Sequence, residues 1–195
     1  MSEPGRVEVV CGPMFAGKTE ELLRRVRRAV IAGRRVLVFT HTLDTRHGSD
    51  RLASHVGRDF PSLAAATPSD IEAAVPDGTD VVAIDEAQFF GPGLVPVVGR
   101  LADRGIVVIV AGLDVTFDGR PFEPLPSLMA LAEDVDKLTA ICTVGGEEAV
   151  FHIKISATPA GADDLVAANV GGTETYQARC RRHFDRLVEP AGGSG

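Results

Sequence analysis

A glycine-rich octapeptide near the N-terminus has residue types and spacing suited to binding phosphate. It fits the pattern G-x-x-x-x-G-K-[ST], in which successive backbone N–H groups point at phosphate oxygens. We expect Lys18 to reach the β- and γ-phosphates of a nucleoside triphosphate and the Thr19 hydroxyl to bind Mg²⁺. The residues of this phosphate-binding loop are Gly12, Pro13, Met14, Phe15, Ala16, Gly17, Lys18 and Thr19.

Two adjacent acids, Asp85 and Glu86, supply the second half of a phosphate-transfer site. They follow an apolar run, residues 81–84, as in a Walker B motif. Asp85 can coordinate Mg²⁺ directly or through water. Glu86 can act as a general base if it lies within hydrogen-bond reach of the proton it takes. That proton belongs to water in a hydrolytic ATPase and to a substrate hydroxyl in a small-molecule kinase, and both remain open here.

The segments around these motifs predict an α/β fold. Apolar runs at 7–11, 36–39, 81–84 and 106–110 predict buried strands. Helical spacing of apolar residues predicts a helix after the loop that ends near Gly33, and a second helix over 94–104. Because the strands are almost continuously apolar, we expect a parallel sheet that is covered on both faces. Together these elements predict a P-loop core over residues 1–140.

The rest of the chain is harder to assign. Residues 41–69 are polar and contain glycine, and part of them can form a loop or hairpin. Residues 141–187 predict a small lobe, with a β-like segment at 149–155 and a helix-like end that contains Cys180 and His183. We expect the tail, 188–195, to be disordered.

Composition narrows the class of protein. A formal net charge of −7 argues against a nucleic-acid surface. No apolar run of about 18 residues is present, so we expect no membrane span, and the N-terminus carries no signal-peptide pattern. Three cysteines favour reduced thiols or metal ligands over a disulfide framework, which fits a cytoplasmic location. The arginines at 24–28 are interpreted as the solvated face of the first helix.

Six sequence blocks, in order, resemble those of the type II thymidine kinases, a P-loop family of bacteria and animal cytosol. A P-loop alone would not identify a family, but six blocks in register do. The resemblance extends over about residues 7–187. The blocks are G-P-M-F-A-G-K-T-E-E-L (12–22), D-T-R (44–46), D-E-A-Q-F-F (85–90), G-L-D-V-T-F (112–117), K-L-T-A-I-C (137–142) and V-G-G-x-x-x-Y-x-x-x-C (170–180).

This resemblance implies transfer of the γ-phosphoryl group of ATP to the 5′-hydroxyl of thymidine, and of deoxyuridine, in pyrimidine deoxynucleotide salvage. It implies that Glu86 is the general base and that Lys18 and Arg46 stabilise charge on the transferring group. Mg²⁺ would be organised by Thr19, Asp44 and Asp85. A lasso-like loop would read the base edge through its backbone. The implied nucleoside-binding residues are Met14, Phe89, Leu113, Phe117, Val170, Gly171, Gly172 and Tyr176.

Members of this family carry a structural zinc in a lobe of the zinc-ribbon type, bound by two C-x-x-C or C-x-x-H pairs. One pair is present here as Cys180 and His183. In the other pair Gly145 stands where the second thiolate is expected, after Cys142. Because a structural zinc site has four protein ligands, three ligands favour a degenerate or empty site, in a lobe that folds without obligatory metal, over a retained zinc site. If zinc is bound, the expected ligands are Cys142, Cys180 and His183.

Two other functions are weighed against the kinase. A hydrolytic P-loop ATPase would use Glu86 to activate water and would turn over ATP without thymidine. A non-catalytic nucleotide-binding regulator would explain the altered metal pair, although the intact residues Lys18, Thr19, Asp85 and Glu86 count against it. The resemblance also implies a homotetramer with feedback inhibition by thymidine triphosphate, and no partner of nucleic acid or membrane.

Overall fold

The computed structural model describes residues 5–43, 51–53, 59–155 and 175–184. Within these residues it contains twelve strands and four α-helices. The helices are α1 (Lys18–Ile31), α2 (Pro68–Ala74), α3 (Leu94–Asp103) and α4 (Leu125–Leu131). The strands are β1 (Arg6–Gly12), β2 (Val36–His41), β3 (Arg51–Ala53), β4 (Asp59–Pro61), β5 (Leu63–Ala65), β6 (Val81–Ile84), β7 (Val107–Leu113), β8 (Asp134–Lys137), β9 (Ala140–Ile141), β10 (Glu148–Ala149), β11 (Phe151–Lys154) and β12 (Tyr176–Arg179).

The central sheet has six strands in the order β5-β2-β6-β7-β1-β8. Every neighbouring pair in it is parallel. This confirms the predicted α/β class and the parallel sheet. The strands that precede the two chemical motifs, β1 and β6, both pair with β7. Their carboxyl ends therefore lie at one edge of the sheet, where ligands bind in folds of this kind.

Helices cover both faces of the sheet, which explains the continuous apolar strands. Successive residues of a strand face opposite sides. In β1, Val9 packs in a cluster with residues of α2, α3 and α4, whereas Val10 packs in a second cluster with residues of α1. Both valines have no exposed surface. Because both faces of the sheet are buried, these strands do not alternate between polar and apolar residues.

The edge strand β8 was not predicted, because its sequence Asp-Val-Asp-Lys has no apolar run and all four side chains are exposed. An arginine holds it in place. The Arg25 guanidinium donates to Glu8 at 2.6 Å, to Asp134 at 2.9 Å and to Asp136. The Arg25 side chain is only 11% exposed, so the prediction that this arginine belongs to a solvated helix face is wrong, although Arg24 is exposed as predicted.

The segment 41–69 contains more structure than its sequence indicated. Strands β3 and β4 form an antiparallel pair, as a hairpin in this region would. Strand β5 joins the central sheet parallel to β2, and α2 follows it. The helix begins with a reciprocal capping box, in which the Thr67 side chain accepts from the Asp70 N–H while the Asp70 carboxylate accepts from the Thr67 N–H. This pattern was present in the sequence as Thr-x-x-Asp.

Two small antiparallel sheets lie beyond the core, β9 with β10 and β11 with β12. The prediction of a helix-like end is wrong. Residues 176–179 pair with β11 as a strand, and only a short 3₁₀ turn (Arg181–His183) follows. The alternation of buried Tyr176 and Ala178 with partly exposed neighbours has the period of a strand, not of a helix. The predicted lasso-like loop and tail lie outside the described residues.

Candidate active site

The phosphate-binding loop connects β1 to α1 through a backbone that needs glycine. Gly12 and Gly17 have positive φ angles of 148° and 82°. A Cβ atom at Gly12 would lie 2.5 Å from the Leu138 carbonyl oxygen, so no side chain fits there. Phe15, with a φ of 67°, is one of two described non-glycine residues in the left-handed region. Such strain collects at functional sites.

The N-terminus of α1 presents backbone donors at the end of this loop. Its first intrahelical bond runs from the Glu21 N–H to the Gly17 carbonyl at 3.1 Å. The N–H groups that open a helix have no acceptor inside it, and the N-cap glycine has no side chain that could accept from them. Such N–H groups and the helix dipole both favour phosphate, so the loop fits a nucleotide triphosphate tail.

The two chemical motifs meet through one hydrogen bond. Thr19 Oγ1 donates to Asp85 Oδ2 at 2.8 Å, although 66 positions separate the residues in sequence. The second Asp85 oxygen, Oδ1, accepts from the Glu86 N–H at 2.9 Å. Asp85 is 2% exposed. The hydroxyl oxygen and the buried carboxylate oxygens are ligands of the kind that Mg²⁺ prefers.

Lys18 is folded over the loop in this structure. Its Nζ donates to the Pro13 carbonyl at 2.7 Å. The ammonium group therefore lies against the backbone that would surround the phosphates. A bound triphosphate would offer it charged acceptors, which form stronger hydrogen bonds than a neutral carbonyl.

Glu86 follows Asp85 in an unusual conformation. Its φ of 52° is left-handed, which turns the chain from β6 into a short 3₁₀ helix (Ala87–Phe90). The Glu86 carboxylate accepts a hydrogen bond from the side-chain amide of Gln88. The same amide accepts from the Leu113 N–H at 3.0 Å through Oε1. Sequence reasoning did not single out Gln88, although it lies within one of the motif blocks.

Four of the predicted nucleoside-binding residues come together in one apolar cluster beside the phosphate site. Met14, Leu113 and Tyr176 are buried in one cluster, and Phe117 packs against it. Phe122 belongs to the same cluster and was not predicted. Met14 belongs to the phosphate-binding loop and Leu113 to the carboxyl end of β7. The cluster therefore adjoins the phosphate site. Apolar and aromatic side chains of this kind suit stacking against a base.

Phe89 is placed differently from the other predicted residues. It is buried in the 3₁₀ helix, and its ring centroid lies 5.8 Å from that of His41. The His41 ring also packs edge-on against Phe90 at 4.6 Å. Phe89 therefore packs beside His41 at the end of β2 and is not a member of the cluster of Met14 and Tyr176.

Tyr176 combines deep burial with an unsatisfied polar atom. It is 1% exposed, and its hydroxyl has no hydrogen-bond partner among the described residues. The ring packs edge-on against His152 at 5.7 Å. Burial raises the pKa of the Tyr176 hydroxyl to about 12, so this group is neutral at physiological pH. A buried hydroxyl without a partner is costly, and it suggests that a ligand supplies one.

A second cluster of reactive side chains lies between the β9–β10 turn and the 3₁₀ turn Arg181–His183. It brings together Cys142, Cys180 and His183, as predicted, and adds Glu147, which was not. The candidate ligand atoms of these four residues all lie within 4.8 Å of one another. Burial raises the pKa of the Cys142 thiol, but hydrogen bonds from backbone N–H groups and from His183 lower it by more, so that the net pKa is about 6. The thiolate is the form that binds metal.

Several predicted site residues lie outside the described part of the chain. These are Asp44, Arg46, Val170, Gly171 and Gly172. Their proposed roles in binding Mg²⁺, the phosphoryl group and the base edge stay predictions. Among the described helices, none combines the length and apolarity needed to cross a bilayer.

Comparison with known proteins gives a consistent result. The family model for thymidine kinase matches residues 5–184. A relative from Deinococcus deserti, named thymidine kinase, is 49% identical over 190 residues, which is 92% of this chain and 94% of the relative. Another from Deinococcus radiodurans, with the same name, is 49% identical over 185 residues, or 89% of this chain and 87% of the relative.

Proposed function

The chain belongs to the thymidine kinase family and phosphorylates thymidine, and from this premise we propose that ATP with Mg²⁺ is its phosphoryl donor. The observation that carries this proposal is the 2.8 Å hydrogen bond between Thr19 and Asp85. It joins the phosphate-binding loop to the acidic pair, beside the apolar cluster of Met14, Leu113 and Tyr176. The expected product is thymidine 5′-monophosphate, and deoxyuridine is the expected second substrate in pyrimidine deoxynucleotide salvage.

The loop residues 12–19 bind the triphosphate. The first-turn N–H groups of α1 donate to phosphate oxygens, and the positive end of the helix stabilises their charge. Lys18 exchanges its bond to Pro13 for bonds to the β- and γ-phosphates. Because the transferring group carries its charge mainly on oxygen, these fixed donors supply much of the catalysis.

The Mg²⁺ ion would be held by Thr19 and Asp85, with Asp44 as the third residue that the family resemblance implies. When bound, the ion neutralises charge on the β- and γ-phosphates. The buried Asp85 carboxylate is fixed at both oxygens, by Thr19 and by the Glu86 N–H. This arrangement orients the carboxylate before a nucleotide arrives.

Glu86 takes the proton from the 5′-hydroxyl of thymidine. As that oxygen forms its bond to the γ-phosphorus, the bond from phosphorus to the bridging oxygen breaks and ADP leaves with its electron pair. The hydrogen bond from Gln88 restrains the Glu86 carboxylate, and so helps to aim it. Arg46 would stabilise the equatorial oxygens, on the ground of the family resemblance.

The nucleoside base lies among Met14, Leu113, Phe117 and Tyr176. The unpartnered Tyr176 hydroxyl would donate to a polar atom of the nucleoside. Phe89 and the loop residues Val170, Gly171 and Gly172 complete the binding site in this proposal. Backbone groups of the glycine-containing loop would read the base edge, since glycine permits close approach.

The family resemblance further supports a homotetramer and a cytoplasmic location. The three cysteines are unpaired and buried, as is usual in a reducing compartment. Light scattering of the full chain, with and without thymidine triphosphate, tests the oligomeric state.

The experiment that tests the donor is incubation of the full chain with thymidine, Mg²⁺ and ATP labelled at the γ-phosphate. We expect labelled thymidine monophosphate, competition by deoxyuridine and little competition by deoxycytidine. Release of labelled phosphate without thymidine would instead indicate a hydrolytic ATPase. Binding of ATP without either product would indicate a regulator.

A further inference from the structure

The small-lobe cluster has a fourth member in the place of the missing thiolate. The carboxylate of Glu147 lies with Cys142, Cys180 and His183, while Gly145 provides no ligand. We propose that Glu147 is the fourth ligand of a zinc ion in this lobe, so that the site is closed by two thiolates, one imidazole and one carboxylate. This replaces the three-ligand site expected from the sequence.

The separations between ligand atoms suit a tetrahedral ion. His183 Nδ1 lies 3.6 Å from Cys142 Sγ and 3.2 Å from Cys180 Sγ. Glu147 Oε2 lies 3.7 Å from Cys180 Sγ and 3.9 Å from His183 Nδ1. Tetrahedral zinc with bonds of about 2.0–2.3 Å separates its ligand atoms by about 3.3–3.8 Å. All six separations are within 4.8 Å, so shifts of about 1 Å or less would complete the site.

Gly145 shows why the carboxylate can substitute for a side chain at that position. A Cβ atom built on Gly145 would lie 2.0 Å from Glu147 Oε2 and 2.7 Å from His183 Cε1. The Glu147 carboxylate thus occupies the space into which a cysteine at position 145 would project. Glu147 and a residue-145 side chain are alternatives for one place in the site.

The local backbone holds Glu147 opposite Cys142. The Cys142 N–H donates to the Glu147 carbonyl at 2.8 Å, and the Gly146 N–H donates to the Cys142 carbonyl at 2.9 Å. Gly146 has a φ of 76°, which suits glycine and reverses the chain between the two residues. The turn therefore carries both side chains on one side of the β9–β10 pair.

The lobe has good physical reason to need such a cross-link. Its buried cluster consists of small residues: Ala140, Cys142, Ala149, Ala178 and Cys180. Two-stranded sheets with so little apolar surface are marginal by themselves. A metal ion would tie the β9–β10 turn to the 3₁₀ turn after β12. Thiolate and imidazole ligands favour Zn²⁺ over Mg²⁺ or Ca²⁺.

The decisive variant is Glu147→Gln, with Glu148→Gln as its matched control. Glu148 is the next residue in sequence, has an exposed side chain and is not in the cluster. Full-length proteins purified without chelator are analysed for metal, and zinc affinity is measured by competition with a chromophoric chelator. We expect one zinc per chain in the parent and in Glu148→Gln. Loss of a residue that only hydrogen-bonds a metal ligand lowers metal affinity by about 10–100-fold. Since Glu147 would be a ligand itself, Glu147→Gln should bind zinc at least that much more weakly.

A spectroscopic measurement on the parent covers the case in which Glu147→Gln does not fold. Cobalt(II) in the proposed site should give tetrahedral d–d bands and charge transfer from two thiolates. The double variant Gly145→Cys/Glu147→Ala, which vacates the space that a cysteine at 145 needs, should restore tight binding with charge transfer from three thiolates. Gly145 is not among the glycines with positive φ, so its backbone accepts cysteine.

Three results would overturn the proposal. They are a parent without tightly held zinc, an octahedral cobalt spectrum, or equal zinc affinity in the parent and Glu147→Gln. In any of these cases Glu147 would only accept the hydrogen bond from the Cys180 thiol. None of these measurements depends on phosphoryl transfer.

Discussion

Gln88 Oε1 accepts a 3.0 Å hydrogen bond from the backbone N–H of Leu113. Gln88 is 1% exposed, and its amide nitrogen donates to Glu86. One side chain therefore links the proposed base to the end of β7, where the proposed nucleoside pocket begins. Close packing reinforces the link, since a Cβ atom on Gly112 would lie 2.7 Å from Gln88 Oε1.

Replacing Gln88 with methionine should separate this orienting role from nucleotide binding. Methionine keeps most of the volume but neither hydrogen bond. We expect the kcat for thymidine phosphorylation to fall at least about tenfold, because the base loses its orientation. The buried Leu113 N–H loses its partner, which should lower the free energy of unfolding by about 1–3 kcal/mol. Steady-state kinetics, ATP binding and chemical denaturation give the three readouts. An unchanged kcat would show that Gln88 does not orient Glu86.

The approach of the phosphate-binding loop to the acidic pair could be predicted from the sequence because its signals are local. The P-loop and the acidic pair are each short motifs that directly follow an apolar strand. Gln88, Phe122 and Glu147 were missed because their roles depend on contacts between segments. The Gln88 amide reaches Glu86 only through the left-handed turn at Glu86, and Glu147 does not follow the C-x-x-C spacing.

Tyr176→Phe tests whether the buried hydroxyl serves the substrate or the fold. Since this hydroxyl has no partner among the described residues, its removal should leave stability unchanged or raise it by up to about 1 kcal/mol. If the hydroxyl binds the nucleoside, the KM for thymidine should rise about 5–10-fold, as for loss of one hydrogen bond of about 1–1.5 kcal/mol. A large loss of stability with an unchanged KM would assign Tyr176 to the fold alone.

Arg25→Met should weaken the attachment of the edge strand β8. The variant removes the cation that contacts Glu8, Asp134 and Asp136, while Arg6 still pairs with Glu8 at 2.6 Å. We expect the free energy of unfolding to fall by about 3 kcal/mol, which is at the low end of the range for breaking a buried ion pair. That corresponds to a Tm lower by about 6–12 °C for a chain of this size.

The matched control is Arg24→Met, since this neighbouring side chain is 56% exposed. Arg24→Met should change the free energy of unfolding by no more than about 0.5 kcal/mol. Hydrogen exchange should show faster exchange in residues 134–137 of Arg25→Met only. Equal stability of the two variants would show that β8 does not depend on Arg25.

Strand β8 also marks the limit of fold prediction from this sequence. The central strands are recognisable because burial on both faces makes them apolar. An edge strand that is stabilised by an arginine from a helix has no such pattern, and its acids resemble those of a loop. The same argument applies to β5, whose three residues Leu63–Ala65 are too few to show a period.

His41 should make stability depend on pH. Its ring accepts from the Leu43 N–H at Nδ1 and lies 3.1 Å from the Ala66 carbonyl through Nε2, which fits the neutral form. Burial lowers the pKa of His41 in the folded state. At pH values below about 6.5, the pKa of histidine in the unfolded chain, the unfolded chain binds a proton that the folded chain does not. Stability should therefore fall as pH drops from about 6.5 to the folded pKa, by at most about 1.4 kcal/mol per unit.

Denaturation midpoints of the parent and His41→Asn between pH 7.5 and pH 5 check this expectation. Asparagine retains an acceptor for the Leu43 N–H but does not titrate. The difference in stability between the two proteins should change over this range in the direction that favours the variant at low pH. A constant difference would exclude His41 as the source.

Thymidine phosphorylation by Glu86→Gln is the most direct test of the proposed mechanism. Glutamine preserves size and hydrogen bonding but cannot accept the proton from the 5′-hydroxyl. We expect kcat to fall by about 10²–10⁴-fold, with ATP binding retained and with Glu148→Gln equal to the parent. A kcat for Glu86→Gln within about tenfold of the parent would contradict the assignment of Glu86 as the general base.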